Sequence, residues 1–190
     1  MLKAPARAAV QVRETEWLRA VRGVGRFVLR GDAQVRLAAG AALGVPLSTI
    51  CGRAATHDPR AALALGPDEH LFLVPEPDAA TFVAELGRAL AGQPYSLVDV
   101  SHRQVTLELE GAYAEWLLAA GCPLPLDVET FSVGACTRTV FAKAEVVLWR
   151  TAPETLRIEV ARSYCRYVVD LLGAVARELP MAPRAAGGSS

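Results

Sequence analysis

The chain contains 190 residues, a length that can bury a substantial core and that falls between one domain and two small ones. Hydrophobic residues make up 52% and charged residues 21%, and the formal net charge is zero. This composition excludes a disordered chain and a strongly basic nucleic-acid surface, so we expect a protein or small-molecule partner and no nucleic acid. No stretch approaches the roughly 18 consecutive apolar residues of a membrane span, so we expect a cytoplasmic protein without membrane contact.

The apolar patterns divide the chain into four segments. They are an N-terminal arm at 1–24, a first α+β half at 25–95, a second α+β half at 96–180 and a disordered tail at 181–190. A strand leading into a helix occurs in both halves, at 71–91 and again at 156–179. The sequence therefore predicts an α+β fold of two packed strand-strand-helix, ferredoxin-like layers, with helices on one face of each sheet.

The first half is predicted to open with a strand at 26–30, followed by a helix whose N-cap is Asp32. Helical spacing is shared by Val35, Ala38, Ala39 and Leu43. A hairpin of 61–65 and 70–74 follows, because both runs are apolar and a Gly-Pro-Asp-Glu sequence joins them. A second helix over 78–91 has one apolar face, formed by Phe82, Val83, Leu86 and Leu90.

The second half begins with a strand at 97–101 and a second strand at 105–110, in which apolar and polar residues alternate. The apolar set is Val105, Leu107 and Leu109, and the polar set is Thr106, Glu108 and Glu110. Such alternation predicts one buried face and one solvated face. A short helix over 112–120 is expected to point Trp116, Leu117 and Ala120 inward and to end at Gly121 as a left-handed C-cap.

The last third predicts three more strands, the first of them at 136–143, and a long helix. Residues 146–149 have no polar alternation, which favours a central strand buried on both faces, and 156–160 form the next strand. Ser163 can cap the helix that follows. One stripe of that helix contains Tyr164, Tyr167, Val168, Leu171, Leu172, Val175 and Leu179.

Neither a metal site nor a nucleotide site is indicated by sequence spacing. The four cysteines, at positions 51, 122, 136 and 165, form no Cys-x-x-Cys pair and do not cluster with the three histidines, so buried free thiols are favoured. Gly23-Val24-Gly25 precedes a strand instead of following one, and no Gly-x-Gly-x-x-Gly or Walker loop is present. We therefore expect no metal and no cofactor in this chain.

Three motifs occur in one fixed order in the second half. They are Asp99-Val100-Ser101-His102-Arg103, Gly121-Cys122-Pro123-Leu124-Pro125-Leu126 and Gly134-Ala135-Cys136-Thr137-Arg138-Thr139. In this order they resemble the γ subunit of heterotetrameric sarcosine oxidase. The segment also resembles the amino-terminal half of the glycine cleavage T protein, a folate-dependent aminomethyltransferase. The resemblance covers roughly residues 25–178 and implies the α+β fold of that half.

The resemblance also places Ser101-His102-Arg103 near the cavity that receives the pterin in T-like proteins. Neighbouring strand residues point to opposite faces, so a structural role for Asp99 or Ser101 at a turn is favoured over a catalytic Ser–His pair. The T family's Gly-Gly-Ile-x-Asp-Asp signature would fall at 143–148, where Glu145 is the only acid and is predicted to be solvated. We therefore predict no catalytic, cofactor-binding or metal-binding residue in this chain.

The segment 121–126 is predicted to be stiff, because each proline restricts itself and the residue before it. A buried crossover or a docking surface would suit such a segment. A reactive Cys122 is the less favoured interpretation, since no histidine or lysine lies nearby in sequence to lower the pKa of its thiol.

The implied function is that of a non-catalytic γ subunit that buttresses the large α subunit in a complex with β and δ. That complex oxidatively demethylates sarcosine to glycine with hydrogen peroxide as co-product, and passes the one-carbon unit to tetrahydrofolate. Its FAD, FMN, NAD, zinc and tetrahydrofolate would then be bound in or between the other subunits. Two alternatives stay open: the equivalent subunit of an N-methylglutamate dehydrogenase complex, and a free-standing folate-binding T-like protein.

Overall fold

The computed structural model describes residue 12 and residues 14–44 and 46–178. Within these residues, ten strands form two antiparallel sheets with the orders β3-β4-β5-β2-β6 (the first sheet) and β1-β7-β10-β9-β8 (the second sheet). The strands are β1 Leu18–Val21, β2 Val24–Arg30, β3 Ala54–His57, β4 Arg60–Ala64, β5 Glu69–Pro75, β6 Ser96–Asp99, β7 Gln104–Glu110, β8 Cys136–Phe141, β9 Ala144–Ala152 and β10 Thr155–Ala161. The helices are α1 Ala33–Leu43, α2 Ala79–Ala89, α3 Ala114–Ala119 and α4 Arg162–Ala176, and a 3₁₀ turn at Glu76–Asp78 precedes α2.

The first sheet packs one face against α1 and α2, and the sequence prediction for this layer is largely confirmed. Asp32 caps α1 by accepting hydrogen bonds from the backbone N–H groups of Gln34 and Val35, at 2.9 and 3.0 Å. Phe82 of α2 contacts Phe27 of β2, with ring centroids 5.1 Å apart. The predicted hairpin is β4 paired with β5. Val83 is an exception, since its side chain is exposed and does not share the buried face of α2.

The second sheet packs its own apolar face against α3 and α4. Leu107 of β7, Leu148 of β9 and Ile158 of β10 are fully buried, and so are Val168 and Leu172 of α4. This arrangement confirms the α+β prediction and the buried strand at 146–149. Among the described residues, no helix combines the length and apolar content needed to cross a bilayer.

The other faces of the two sheets pack against each other, which gives the layer order helix, sheet, sheet, helix. A third apolar cluster fills this space and consists of Ala61, Leu63, Leu71, Leu73, Val100, Cys136, Val147 and Trp149. Two backbone hydrogen bonds join the sheets, from Ala54 N–H to the Gly134 carbonyl at 2.8 Å and from Cys136 N–H to the Gly52 carbonyl at 2.9 Å. Each sheet is therefore buried on both faces along its centre.

The prediction of a solvated polar face on 105–110 is wrong, because that face lies against the first sheet. Thr106, Glu108 and Glu159 are each only 2% exposed. Arg26 of β2, itself 4% exposed, reaches across the interface and donates from Nε to Glu159 Oε2 at 2.6 Å. Thr106 Oγ1 donates to the other carboxylate oxygen of Glu159 at 2.6 Å and accepts from Arg26. Alternation reports which side chains are polar; it does not report whether water or a second polar surface meets them.

Two strands, β1 and β6, belong to a different sheet from the one that their position in the sequence suggests. Residues 18–21, placed by sequence in an arm at 1–24, form β1 and pair with β7, so that Ala20 lies opposite Leu107. Conversely, β6 follows position 95 but pairs with β2 of the first sheet. Both pairings join segments far apart in sequence, and local patterns carry no signal for such partners.

The short helix α3 differs in detail from its prediction. Trp116 is 45% exposed and Ala120 is also exposed, while Leu117 and Leu118 point inward. The helix ends at Ala120 in right-handed conformation, so Gly121 is not a left-handed cap. A glycine is needed at 121 for another reason, because an added Cβ would lie 2.8 Å from the ring of Phe141.

The long helix α4 begins at Arg162, with Ala161 as N-cap, so Ser163 lies inside the first turn and is not the cap. The predicted apolar stripe is narrower than expected. Cys165, Val168 and Leu172 are buried, whereas Tyr164 and Tyr167 are exposed and contact each other with ring centroids 6.5 Å apart. Leu179 and the predicted disordered tail at 181–190 lie outside the described residues.

Replacing Leu172 by alanine should destabilise the fold by about 2–5 kcal/mol, because it leaves a cavity in the fully buried layer between α4 and the second sheet. The free energy of unfolding in urea would measure the loss. Leu171→Ala is the matched control, since Leu171 is only partly buried on the same helix and should lose clearly less. Equal losses for the two variants would contradict the packing described above.

Replacing Arg26 by methionine should cost about 3–5 kcal/mol, because it leaves the buried carboxylate of Glu159 without a cation. The double variant Arg26→Met, Glu159→Leu should recover most of that loss, since it removes both charges and fills the space with apolar atoms. Urea unfolding of the two single variants and the double variant gives the coupling energy. Additive losses in the double variant would show that the two side chains do not interact as a pair.

Candidate functional site

The motif at 99–103 forms a turn at the end of β6 that is fastened to β2. Ser101 Oγ accepts a hydrogen bond from the backbone N–H of Arg26 at 2.8 Å, and Asp99 Oδ1 accepts from the N–H of Ser101 at 2.9 Å. The N–H of Arg103 closes the turn on the Val100 carbonyl at 2.9 Å. The predicted structural role of Asp99 and Ser101 is confirmed. His102 is exposed on this turn, and Ser101 has no described hydrogen bond to it.

A cavity of about 220 Å³ lies beside this turn, between the two sheets. Arg103 and Val100 line it from the turn, Glu145 and Val147 from β9, and Tyr164 from α4. The structure therefore brings Arg103, from the motif that the resemblance places near a pterin cavity, together with Glu145 and Val147, from the segment where the T family's acidic signature would fall. Ser101 and His102 are not among its lining residues.

Two of the charged side chains around this cavity, Arg138 and Glu145, are paired within the chain. Arg138 Nη2 donates to the buried carboxylate of Glu69 at 2.5 Å, and its Nε lies 3.7 Å from Glu145. Glu145 itself is 77% exposed, which confirms its predicted solvation.

A second set of charges, centred on Glu108 of β7, joins three neighbouring strands of the second sheet, β1, β7 and β10. Both carboxylate oxygens are occupied: Oε1 accepts from Arg19 Nε at 2.7 Å and Oε2 accepts from Arg157 Nε at 2.6 Å. Burial alone would raise the pKa of Glu108, but the hydrogen bonds from the two guanidinium groups outweigh it and hold the pKa below its ordinary value. Glu108 is thus a structural anion, ionised and fully bonded at neutral pH.

Three of the four cysteines and the buried histidine have the properties of core residues. Burial raises the pKa of Cys136 to about 12 and also raises that of Cys165, so neither thiol ionises near neutral pH. The prediction of buried free thiols is confirmed for these two and for Cys122, but it is wrong for Cys51, which is exposed. Burial likewise lowers the pKa of His70, whose Nε2 lies 3.1 Å from the Ser48 carbonyl.

Within the described residues, no group of three or more His, Cys, Asp or Glu side chains is arranged to hold a metal ion. The histidines are dispersed, with His57 exposed on β3, His70 in the first layer and His102 on the 99–103 turn.

Sequence reasoning missed the residue that fixes the segment 121–126, which is Arg150 of β9. Its guanidinium is fully buried and donates to the carbonyls of Leu126, Phe131 and Pro153, with 2.6 Å for Phe131. It also donates to Glu115 of α3 at 2.8 Å. Within the segment Arg150 binds Leu126, which is buried together with Cys122, whereas Pro123 and Pro125 are exposed. The predicted buried crossover is therefore only partly buried. An arginine at the end of a buried apolar strand was the available signal, because such a charge needs partners.

Comparison with known proteins identifies the relatives of this fold. Residues 30–178 match the family described as sarcosine oxidase, gamma subunit family. The chain belongs to this family. A sarcosine oxidase subunit gamma from Corynebacterium sp. strain P-1 is 33% identical over 168 residues, which cover 86% of this chain and 78% of that protein. A subunit gamma from an Arthrobacter species is 34% identical over 125 residues, 66% of this chain and 59% of the other.

Solved structures agree with this family assignment. A chain of heterotetrameric sarcosine oxidase from Corynebacterium sp. U-96, in complex with pyrrole 2-carboxylate, is similar with a TM-score of 0.78 and 32% identity, covering 84% of this chain and 83% of that one. The aminomethyltransferase T of the glycine cleavage system from Bartonella henselae gives a TM-score of 0.66 at 16% identity, covering 84% of this chain and 46% of that one. The predicted similarity of fold to the T protein is confirmed; at that identity it concerns the fold alone.

Replacing Ser101 by alanine should destabilise the chain by about 1–3 kcal/mol, because the N–H of Arg26 loses its hydrogen-bond acceptor. Thermal and urea unfolding would measure this loss. His102→Gln, one residue away and exposed, should leave stability unchanged within about 0.5 kcal/mol and serves as the control. A more stable Ser101→Ala protein would contradict the structural role assigned to this serine.

Proposed function

We propose that the chain is a non-catalytic γ subunit of a heterotetrameric sarcosine oxidase, acting in the cytoplasm. This proposal rests on one observation: side chains that could act in catalysis are bonded to other groups of the same chain. Glu108, Glu159 and Glu69 are each neutralised by arginines of the same chain, and Ser101 serves a backbone N–H. Such groups hold sheets together and are not free to act on a substrate.

In the proposed complex the other subunits carry out the chemistry. Sarcosine is oxidised at its N-methyl carbon, oxygen is reduced to hydrogen peroxide, glycine is released and the one-carbon unit passes to tetrahydrofolate. FAD, FMN, NAD, zinc and tetrahydrofolate would be bound in or between those subunits. The relative from Corynebacterium sp. U-96, a heterotetrameric sarcosine oxidase, supports the expectation that this chain also assembles with partner subunits, which we take to be α, β and δ.

The surface that we assign to assembly, chiefly with α, is the α3 and crossover region at 113–133. It exposes four large apolar side chains, namely Tyr113, Trp116, Val128 and Val133. Arg150 donates hydrogen bonds to the Phe131 carbonyl and to Glu115, so the backbone that bears these side chains is fixed. Exposed apolar residues on a rigid base are typical of surfaces that another protein covers.

The folate-binding alternative has less support. The cavity beside Arg103 measures about 220 Å³, below the roughly 300 Å³ at which small-molecule sites begin. Measuring tetrahydrofolate affinity in the isolated chain would separate this alternative from the subunit proposal. The equivalent subunit of an N-methylglutamate dehydrogenase complex is separated by testing which amine the assembled complex oxidises.

When co-expressed with α, β and δ subunits, the chain should co-purify in equal proportion, and alone it should not oxidise sarcosine. Trp116→Glu should weaken that assembly at least about tenfold, because it places a charge in the centre of the proposed contact surface. Leu37→Glu is the matched control: Leu37 is 66% exposed on α1, outside this surface, and its replacement should leave assembly unchanged.

Quantitative pull-down and size-exclusion chromatography measure both variants. Sarcosine turnover by the isolated chain would contradict the non-catalytic role. Normal assembly of the Trp116→Glu variant would show that the subunit contact lies on another surface.

A further inference from the structure

A larger cavity, of about 430 Å³, opens at another position between the two sheets and shares no lining residue with the cavity beside Arg103. Val24, Leu73 and Pro75 provide apolar walls from the first sheet. Trp149 of β9 and Arg157 of β10 line it from the second sheet. Its volume lies within the range of roughly 300–1,000 Å³ that is usual for small-molecule sites.

Trp149 is a hydrogen-bond donor whose partner is not supplied by the described residues. The residue is only 7% exposed, and its indole N–H is buried without an acceptor. Buried polar groups are almost always paired, so a group such as this one needs an explanation. The nitrogen itself is closed off from the cavity, so a ligand there would contact the ring of Trp149 and not its N–H.

Arg157 supplies a cation on the same wall. Its guanidinium carbon lies 5.4 Å from the centroid of the Trp149 ring, and its Nε is bonded to Glu108. Among the described residues its two Nη groups have no acceptor, and the side chain is 31% exposed. The guanidinium therefore has donors left for a planar anion, which arginine binds through two parallel hydrogen bonds.

Arg157 is the cation at the cavity that has hydrogen-bond donors left, since the other charged groups nearby are paired or exposed. Arg19, which shares the carboxylate of Glu108 with Arg157, is 60% exposed and also interacts with Glu110 and Glu14. Arg60, which also lines the cavity, is paired with Glu85 at 3.2 Å and contributes no excess charge. Asp58 is the acid at the cavity, and because it is exposed, water screens its charge.

We propose that this cavity is a binding site for a small organic carboxylate with an apolar body. The carboxylate would accept hydrogen bonds from the Nη groups of Arg157, beside the Trp149 ring, while the body would lie against Val24, Leu73 and Pro75. The binding is reversible and involves no covalent step. This proposal does not depend on the assembly surface or on the reaction of the complex.

Titration of the ¹⁵N-labelled full chain with benzoate tests the proposal. The indole N–H resonance of Trp149, identified by its loss in Trp149→Phe, should shift to a plateau, whereas those of Trp17 and Trp116 should not. Benzamide has the same shape without the charge and should bind at least about tenfold more weakly. Arg157→Gln should lose binding by a similar factor, and Arg157→Lys, which keeps the charge, should lose less.

Arg60→Gln is the matched control. It removes the same charge from the same cavity, but from a guanidinium that Glu85 already occupies, so benzoate should bind as it does to the parent. Far-ultraviolet circular dichroism confirms that each variant is folded. A folded parent whose Trp149 resonance ignores benzoate, equal binding of benzamide, or unchanged binding by Arg157→Gln would each overturn the proposal.

The same titration on the assembled complex distinguishes the source of the carboxylate. Retained benzoate binding, still sensitive to Arg157→Gln, supports a free small molecule as the occupant. Loss of binding on assembly would overturn that conclusion, because a side-chain carboxylate of a partner subunit would then fill the cavity.

Discussion

The ion pair between Arg26 and Glu159 is the interaction on which the layered arrangement depends. Both side chains are almost completely buried, and an isolated charge in such a place costs several kcal/mol. The two sheets must therefore approach in the one register that brings β2 opposite β10. Apolar contacts alone would not impose this, because small side chains such as Ala61 fit many registers. The pair Glu69–Arg138 adds the same constraint at another position along the interface.

Much of the sequence prediction follows from local physics, and that part is correct. Asp32 caps α1 because a short carboxylate before an apolar helix is the local solution for free N–H groups. The hairpin of β4 and β5 follows equally from two apolar runs around a turn. By contrast, β1 required knowledge that Arg19 meets Glu108, 89 positions later. Thr106 and Glu108 were predicted to be solvated because alternation cannot distinguish solvent from a second polar sheet face.

The candidate sites show the same division between local and distant causes. The role of Ser101 was predictable, since a serine at a turn bonds to nearby backbone, although its partner, Arg26, lies 75 positions away. Gly121 was assigned to a helix end, yet the reason for glycine there is the ring of Phe141 packed against its Cα. Arg150 drew no prediction because most of its acceptors are backbone carbonyls, which any sequence can provide. The residues that shape the sites are those with distant partners.

Arginine explains how one interface can be both framework and binding surface. A guanidinium has five N–H donors, so a single structural bond does not exhaust it. Arg150 donates its hydrogen bonds to groups of the same chain and thereby fixes the crossover. Arg157 uses Nε to fix Glu108 and keeps its Nη groups at the cavity wall, where the Trp149 ring supports them. A lysine at position 157 would place a point charge at the cavity without a planar pair of donors. Arginine therefore matters at the cavity between the sheets as well as in the closely packed region around Arg150.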